Sequence, residues 1–220
     1  MAAVPATFKQ YQYTKFGACA DEWKLVDATQ KVLKPGYVRI KALVTHAKLK
    51  AGETVLILGG SSATGTLAIQ FAKGIGAHVI ATTSHRNVDL VKSLGADQVI
   101  DYTTTKWNEA LAEHSVDVIY DCGFEPQAWN DAAQKILKKD VGRFVTLAQI
   151  ENAIESPIGA QKFYFFCLSS GEDLRAITAF VEKDQVKNVL DTVFPLDGLI
   201  DAINKVKGGR VVGKVIITVA

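Results

Sequence analysis

Hydrophobic and polar positions change period repeatedly along the centre of the chain. Short runs of consecutive apolar residues predict six strands, at 54–58, 78–82, 98–101, 116–120, 142–147 and 163–167. Apolar residues recur at helical spacing between and after them, at 64–75, 88–94, 107–114, 128–138 and 173–182. Strands that alternate with helices form parallel sheets, and continuous apolar strands are typical of sheets covered on both faces. The pattern therefore predicts an α/β fold with a doubly wound parallel sheet of six strands.

The two ends of the chain follow another pattern. Residues 37–44 (YVRIKALV) alternate between apolar and polar positions, as a half-exposed antiparallel strand does. Beyond residue 186 the pattern predicts a strand at 189–194, a helix at 196–207 and a strand at 213–219. We expect 1–46 and 186–220 to form a second, β-rich unit beside a central domain at 47–185. Its apolar residues at strand spacing would build a small antiparallel patch from Val38, Ile40, Ala42, Val215, Ile217 and Val219.

A glycine-rich turn follows the first of the six strands and opens a helix. Gly60-x-Ser62-x-x-Gly65 matches the dinucleotide fingerprint G-x-G-x-x-G except for serine at its middle position. Unpaired backbone N–H groups and the positive end of the helix dipole favour a pyrophosphate at such a turn. The alternative is a tight turn that needs glycine only for its backbone conformation. The residues predicted to bind a dinucleotide here are Gly60, Ser61, Ser62, Ala63, Thr64 and Gly65.

The end of the second strand indicates which dinucleotide binds. An NAD site has an acidic residue there for the ribose 2′-hydroxyl, but this chain has no acid before Asp89. Ser84 and Arg86, with Asn87, can instead hold a 2′-phosphate, and arginine can do so through two hydrogen bonds. We therefore predict NADP(H) as the cofactor. The alternative for Arg86 is a solvated surface charge.

Composition narrows the classes of partner. The chain has 220 residues, of which 48% are hydrophobic and 22% charged, with a net charge of +2. This balance gives no electrostatic basis for a nucleic acid or an anionic membrane as the main partner. No apolar run is long enough to span a bilayer, and the N-terminus does not have the pattern of a secretory signal, so we expect a cytoplasmic protein. Three widely spaced cysteines and four histidines show no metal-ligand spacing, and we predict no metal site.

With these motifs in place, the sequence resembles the medium-chain dehydrogenase/reductase superfamily, and most of all its zinc-independent quinone oxidoreductase (ζ-crystallin-like) branch. The segments that carry the resemblance are 47–84, 90–102 (LVKSLGADQVIDY), 116–123 (VDVIYDCG) and 193–219. The strand VRIKALV resembles the start of the family's GroES-like β domain. The resemblance implies a Rossmann sheet with remnant strands of that β domain, because His46 leads almost directly into Lys48 where the family has some tens of further residues.

The resemblance also implies roles for residues outside the glycine turn. Tyr102 would pack near the adenosine phosphate, although it could equally fill the core at the end of a strand. Cys122 and Ala148 would line the cofactor cleft, with Cys122 more simply explained as a small buried hydrophobe. Arg210 and Lys214 could reach the phosphates. No side chain is identified as catalytic, because in this chemistry the cofactor supplies the hydride.

Three functions follow from the resemblance. The first is transfer of hydride from NADPH to a quinone or an α,β-unsaturated carbonyl compound. The second is an NADPH-binding module with little turnover, because the domain that carries much of the substrate cleft is truncated. The third is a non-enzymatic, partner-binding or RNA-associated role, which the charge balance does not support. The aromatic sixth strand has no proline or charge to protect an exposed edge, and it predicts a homodimer that pairs there.

Overall fold

The structure is a computed structural model that describes residues 7–12, 24–29, 41–164 and 171–218. The chain divides into two compact units. One consists of Gly36–Val189, and the other of Met1–Pro35 together with Leu190–Ala220. Within the described ranges, no helix combines the length and the apolar character needed to cross a membrane.

Ten strands and six α-helices are described. The strands are β1 (Thr7–Gln12), β2 (Lys24–Thr29), β3 (Thr54–Leu58), β4 (His78–Thr83), β5 (Gln98–Asp101), β6 (Val118–Asp121), β7 (Arg143–Thr146), β8 (Gln161–Tyr164), β9 (Leu190–Pro195) and β10 (Lys214–Thr218). The helices are α1 (Gly65–Ile75), α2 (Val88–Ser93), α3 (Trp107–Ala110), α4 (Ala132–Ile136), α5 (Gly171–Glu182) and α6 (Leu199–Lys207).

The larger unit contains a parallel sheet of six strands in the order β5-β4-β3-β6-β7-β8. The chain builds outwards from β3 in one direction and then returns to its other side at β6. This reversal opens a crevice between the carboxyl ends of β3 and β6, where ligands bind in sheets of this type. The predicted doubly wound α/β fold is confirmed.

Two apolar cores cover the two faces of this sheet. Because successive strand residues point to opposite faces, Val55 and Ile57 belong to one core and Leu56 and Leu58 to the other. The first core contains the apolar face of α1, including Phe71, whose ring meets that of Phe180 on α5 edge to face. The second core contains two tryptophans and the buried side of α4. Burial on both faces explains why the strands are continuously apolar.

The amino end of the sheet is fixed by paired charges. The Arg143 guanidinium at the start of β7 donates to the Ala47 carbonyl oxygen and to the Glu53 carboxylate, each at 2.8 Å. Buried Asp117 accepts from the Lys138 ammonium and from the backbone N–H of Thr54. These contacts attach the segment before β3 to the sheet.

The prediction of a strand at 37–44 is wrong for the residues that the structure describes there. Lys41–His46 forms one turn of π-helix, in which the N–H of Ala47 donates to the Ala42 carbonyl oxygen at 2.8 Å. Ala42 and Leu43 are adjacent in sequence and both fully buried in the first core, which an alternating strand would not allow. Residues 37–40 lie outside the described residues.

The smaller unit also differs from expectation. β1 and β2 form an antiparallel pair that the sequence pattern did not predict, and β9 and β10 pair in parallel, connected through α6. The predicted antiparallel patch is therefore wrong for Val215 and Ile217, which belong to a parallel pair, and for Ala42, which is helical. Val38, Ile40 and Val219 lie outside the described residues.

Two predicted helices are shorter than expected. The helix at 107–114 ends at Ala110, and the segment 128–138 divides into a 3₁₀ turn, Pro126–Asn130, and α4. The backbone leaves α4 because Val116 pairs with Leu137 in a parallel bridge. The sixth predicted strand, 163–167, is observed as Gln161–Tyr164, and residues 165–167 lie outside the described residues.

Asp191 makes the stability of the smaller unit sensitive to acid. Hydrogen bonds from Lys205, from Thr192 and from the N–H of Val212 lower its pKa from 3.8 to about 2. A lowered pKa contributes stability that is complete above the unfolded-state value and is lost as the pH falls from about 4 towards 2. We expect hydrogen-exchange protection of β10 amides, corrected for intrinsic exchange, to fall over this range in the native chain and to be flat in Asp191→Asn. The exposed Asp201→Asn variant should retain the native dependence, and an acid-independent native chain would contradict this assignment.

Candidate functional site

The turn after β3 is held against the ends of the two neighbouring strands. Gly59 has φ +73°, and a Cβ there would lie 2.9 Å from Gly123 Cα in the segment after β6. On the other side, the N–H of Gly59 donates to Thr82 Oγ1 at 2.9 Å and the N–H of Gly60 to the Thr82 carbonyl oxygen at 2.7 Å. The turn is therefore fixed by β4 and crowded by the loop after β6, at the point where the strand order reverses.

Gly65 brings the first turn of α1 against the same backbone. A Cβ at Gly65 would overlap the Gly59 carbonyl oxygen and would lie 2.8 Å from Gly60 Cα. Glycine at this position of the fingerprint serves close packing of helix on strand. Gly65 is thus needed because a side chain would clash with the turn. Gly59 is needed for the same reason and also for its positive φ.

Backbone donors at the start of α1 remain for a ligand. The Ser62 hydroxyl accepts from the N–H of Gly65, the first residue of α1, at 3.0 Å. In the described part of the chain, the N–H groups of Ser61, Ala63 and Thr64 meet no acceptor. Three donors beside the N-terminus of an 11-residue helix, with a glycine-lined approach, fit a phosphate group.

The end of β4 meets the glycine turn through side chains. The Thr83 hydroxyl hydrogen-bonds to Ser61 Oγ at 3.0 Å. Asn87, which is 8% exposed, donates from Nδ2 to Ser61 Oγ at 3.2 Å and to Ser84 Oγ at 3.4 Å. The structure therefore brings Ser61, Ser84 and Asn87 together.

Arg86 and Tyr102 lie near this cluster at the surface. Arg86 is exposed on the short 3₁₀ turn His85–Asn87 that follows β4. Tyr102 follows β5, and its N–H donates to the Thr83 carbonyl oxygen at 3.1 Å. Its side chain is 58% exposed, so the tyrosine does not fill the core.

An aromatic groove of about 590 Å³ lies beside Tyr102. Its lining includes Trp107, Phe124 and Glu125, from the segments that follow β5 and β6. Phe124 is the most exposed of the large hydrophobic residues described. Burial raises the pKa of Glu125, and the nearby Asp121 carboxylate raises it further. The groove offers flat apolar surfaces at the carboxyl edge of the sheet.

Cys122 and Ala148 follow β6 and β7, and Asp121 connects the segments that contain them. Asp121 is 2% exposed and accepts from the N–H of Gly123 at 3.1 Å and from Thr146 Oγ1 at 2.9 Å. Thr146 Oγ1 in turn accepts from the N–H of Ala148 at 3.0 Å. Burial raises the pKa of Asp121 despite these hydrogen bonds. The carboxyl group therefore orders both loops at the edge of the crevice.

Two of the predicted phosphate ligands belong to the smaller unit. Arg210 precedes β10 and Lys214 begins it, so their contact with a cofactor stays a prediction. In the described residues, no group of three or more His, Cys, Asp or Glu side chains is arranged to hold a metal ion.

Sequence reasoning missed Thr82, Thr83, Asp121 and Gly123. The two threonines resemble ordinary strand residues, since β-branched side chains are common in strands. Their position could have identified them, because both stand at the carboxyl end of the strand next to the glycine turn. Asp121 is a similar case, because an acid that directly follows an apolar run lies at the same edge of the sheet.

The family profile and the relatives that match this chain all describe dehydrogenases or reductases. The zinc-binding dehydrogenase family profile matches residues 94–217. The chain is 34% identical over 175 residues to a 2-methylene-furan-3-one reductase of Solanum lycopersicum, covering 78% of this chain and 42% of the relative. It is 31% identical over 178 residues to a chloroplastic NADPH-dependent alkenal/one oxidoreductase of Arabidopsis thaliana, covering 79% of this chain and 42% of the relative.

A solved structure shows the same likeness. The quinone oxidoreductase from Coxiella burnetii superposes with a TM-score of 0.71 at 25% identity, over 90% of this chain and 68% of that one. The chain spans about half the length of the curated relatives it matches.

Substituting Gly65 tests whether the close approach forms the site. We expect Gly65→Ala to destabilise the fold by about 1–3 kcal/mol, because its Cβ must displace the backbone of the turn. Dinucleotide affinity, measured by fluorescence titration, should fall by at least about tenfold, which corresponds to about 1.4 kcal/mol. Gly198→Ala is the control, since its Cβ meets only ordinary contacts at 3.4 Å and beyond. Unchanged affinity in a folded Gly65→Ala variant would place the ligand elsewhere.

Proposed function

Because the chain belongs to the zinc-binding dehydrogenase family, within the medium-chain dehydrogenase/reductase superfamily, we propose that it is an NADPH-dependent oxidoreductase. Its substrates would be quinones or α,β-unsaturated carbonyl compounds. The observation that carries the proposal is the phosphate cradle, where Gly65 packs against the turn after β3 and three N–H groups meet no acceptor among the described residues. This cradle stands where a Rossmann sheet binds a dinucleotide.

The described residues fit each part of the cofactor. The N–H groups of Ser61, Ala63 and Thr64 would hold the pyrophosphate. The adenine would lie in the aromatic groove between Tyr102 and Phe124, where flat rings offer stacking contacts. Cys122 and Ala148 would line the path towards the nicotinamide, held in place through Asp121. When bound, the cofactor supplies the hydride.

The preference for NADPH rests on the end of β4. Ser84 and Arg86 would contact the 2′-phosphate, and no carboxylate follows β4 before Asp89 to bind a ribose hydroxyl instead. Arg210 and Lys214 are proposed as further phosphate ligands on the strength of the family resemblance alone.

The named relatives support the class of substrate. One is a 2-methylene-furan-3-one reductase, one an NADPH-dependent alkenal/one oxidoreductase, and one solved structure a quinone oxidoreductase. These names describe reduction of a conjugated carbonyl compound or of a quinone. The described residues do not fit a zinc ion, because they offer no cluster of three or more His, Cys, Asp or Glu ligands for it.

A second candidate function is an NADPH-binding module with little turnover. It is favoured by the short connection from His46 to Lys48, where the family resemblance implies some tens of further residues. We propose that the end segments are the remnant of a GroES-like β domain and that most of the substrate wall is missing. Poor placement of an acceptor lowers the rate steeply, so weak turnover would follow.

The proposed assembly is a homodimer that pairs through β8. Among the described strands, β8 stands at one edge of the six-stranded sheet, and an edge strand can pair with a strand of a second chain. A cytoplasmic location stays a prediction, and the Arabidopsis relative is named as chloroplastic.

A titration with turnover distinguishes the two functions. NADPH binding is measured by fluorescence, and its oxidation is then followed with a quinone and with an alkenal. Binding with turnover on the order of 10 per second supports the oxidoreductase. Binding with little or no turnover supports the module. If the chain binds no dinucleotide, both are wrong.

Arg86→Ala tests the cofactor preference. Loss of a charge-assisted contact with the 2′-phosphate should cost about 1.5–3 kcal/mol of NADPH affinity, and NADH affinity should stay nearly constant because NADH has no such phosphate. The two dissociation constants are measured side by side. Equal affinity of the native chain for NADPH and NADH would contradict the preference.

A charge on the sheet edge tests the dimer. Tyr164 ends β8 and is 42% exposed, so Tyr164→Lys should reduce the dimer fraction by opposing edge pairing. Val141→Lys, at a residue that is 57% exposed and outside β8, is the matched control. Light scattering at tens of micromolar protein reports the mass, and a monomeric native chain would rule out the dimer at that concentration.

A further inference from the structure

Four side chains form one polar cluster between the glycine turn and the end of β4. Its members are Ser61, Thr83, Ser84 and Asn87. Asn87 is more than nine-tenths buried and Thr83 is fully buried, whereas both serines are partly exposed. The buried members therefore stand behind the serines, which have contact with solvent.

The hydrogen bonds of the cluster run from the buried residues to the serines. The Asn87 amide nitrogen donates to Ser61 Oγ and Ser84 Oγ. In the described structure the Thr83 hydroxyl contacts no other acceptor than Ser61 Oγ, and a buried hydroxyl without an acceptor is costly. Thr83 therefore donates to Ser61 as well.

This direction fixes what the serines can do. Ser61 Oγ receives two hydrogen bonds, which occupy both of its lone pairs and leave only its own hydrogen. Ser84 Oγ also receives one from Asn87. Both oxygens lie within 3.4 Å of the same nitrogen, so they can reach one ligand group. A phosphate monoester, which accepts hydrogen bonds and carries negative charge, suits two such donors.

We infer that Asn87 is a positioning residue that determines specificity for NADPH. Together with Thr83 it orients the hydroxyls of Ser61 and Ser84 as donors to the 2′-phosphate, rather than contacting that phosphate itself. The inference rests on the proposed function, since it assumes that a dinucleotide occupies this edge of the sheet. Because the Asn87 amide is buried, it would act on the phosphate through the two serines and would not contact the phosphate directly.

An acid at this position would have the opposite effect. A carboxylate only accepts hydrogen bonds, so it would turn the serine hydroxyls towards itself and away from the phosphate. It would also oppose the phosphate charge. The absence of an acid after β4 therefore matters for the direction of the hydrogen bonds as well as for the charge.

Three variants separate the effect of hydrogen-bond direction at the serines from the effect of a negative charge beside the phosphate. Asn87→Leu and Thr83→Val each remove donors to the serines, keep the branching of the side chain and add no charge. Asn87→Asp removes the donors, reverses the polarity and adds a negative charge. Dissociation constants are measured for NADPH, for NADH and for adenosine 2′,5′-bisphosphate, a probe that has the 2′-phosphate without the pyrophosphate bridge. Thermal unfolding confirms that each variant is folded, and Thr83→Val is the mildest change should an Asn87 variant fail to fold.

We expect Asn87→Leu and Thr83→Val to weaken NADPH and the bisphosphate by about 3- to 10-fold, as loss of neutral hydrogen bonds does. Asn87→Asp should weaken both by at least about 30-fold. NADH affinity should stay within about twofold throughout.

Two results would overturn the inference while the proposed function stands. One is that Asn87→Asp weakens NADPH binding while Asn87→Leu and Thr83→Val do not. Charge repulsion alone would then explain the loss of affinity. The other is equal weakening of NADPH and NADH, which would assign the hydroxyls to the pyrophosphate. A native chain that binds neither dinucleotide would instead overturn the proposed function.

Discussion

The close approach of three backbone segments at the carboxyl edge of the sheet determines the rest of the site. The turn after β3, the first turn of α1 and the loop after β6 meet at Gly59, Gly65 and Gly123, with no room for a Cβ at Gly59 or Gly65. The contact with the loop after β6 lies where the strand order reverses, so that the connections from β3 and β6 leave in opposite directions. The turn that leads into α1 is thereby held in place, and the N–H groups of Ser61, Ala63 and Thr64 meet no acceptor among the described residues.

The two ends of the sheet use polar groups in different ways. At the amino end, Arg143 pairs with Glu53, and Lys138 pairs with Asp117. At the carboxyl end, the buried groups hold loops in place while backbone and hydroxyl donors are left for a ligand. Asp121 illustrates the cost of this arrangement, since its burial raises its pKa although it accepts several hydrogen bonds. Buried polar groups therefore hold the segments around the sheet in place, while hydrogen-bond donors for a ligand lie at its carboxyl edge.

The sequence predicts the central sheet well because each strand is apolar on both faces, and two cores require that. It also locates the glycine turn, since only a few residue types allow such contacts. It fails where burial depends on distant partners. Ala42 and Leu43 look like strand residues but are helical, because both side chains enter the same core. The sequence predicts Asn87 at the 2′-phosphate, but the hydrogen bonds of Thr83 and Asn87 to Ser61 could not be predicted, because Ser61 lies more than twenty positions away in the sequence.

In the proposed complex, the turn that opens α1 binds the pyrophosphate of NADPH and the end of β4 holds its 2′-phosphate. The most direct measurement is the change in backbone amide NMR shifts of the intact chain on titration with NADPH. We expect the largest changes at Ser61, Ala63 and Thr64, whose N–H groups meet no acceptor among the described residues, with further changes at 84–87. With NADH, the changes at 84–87 should become much smaller. Saturable binding of NADPH that leaves the amide shifts of 61–64 unchanged would show that the pyrophosphate binds elsewhere.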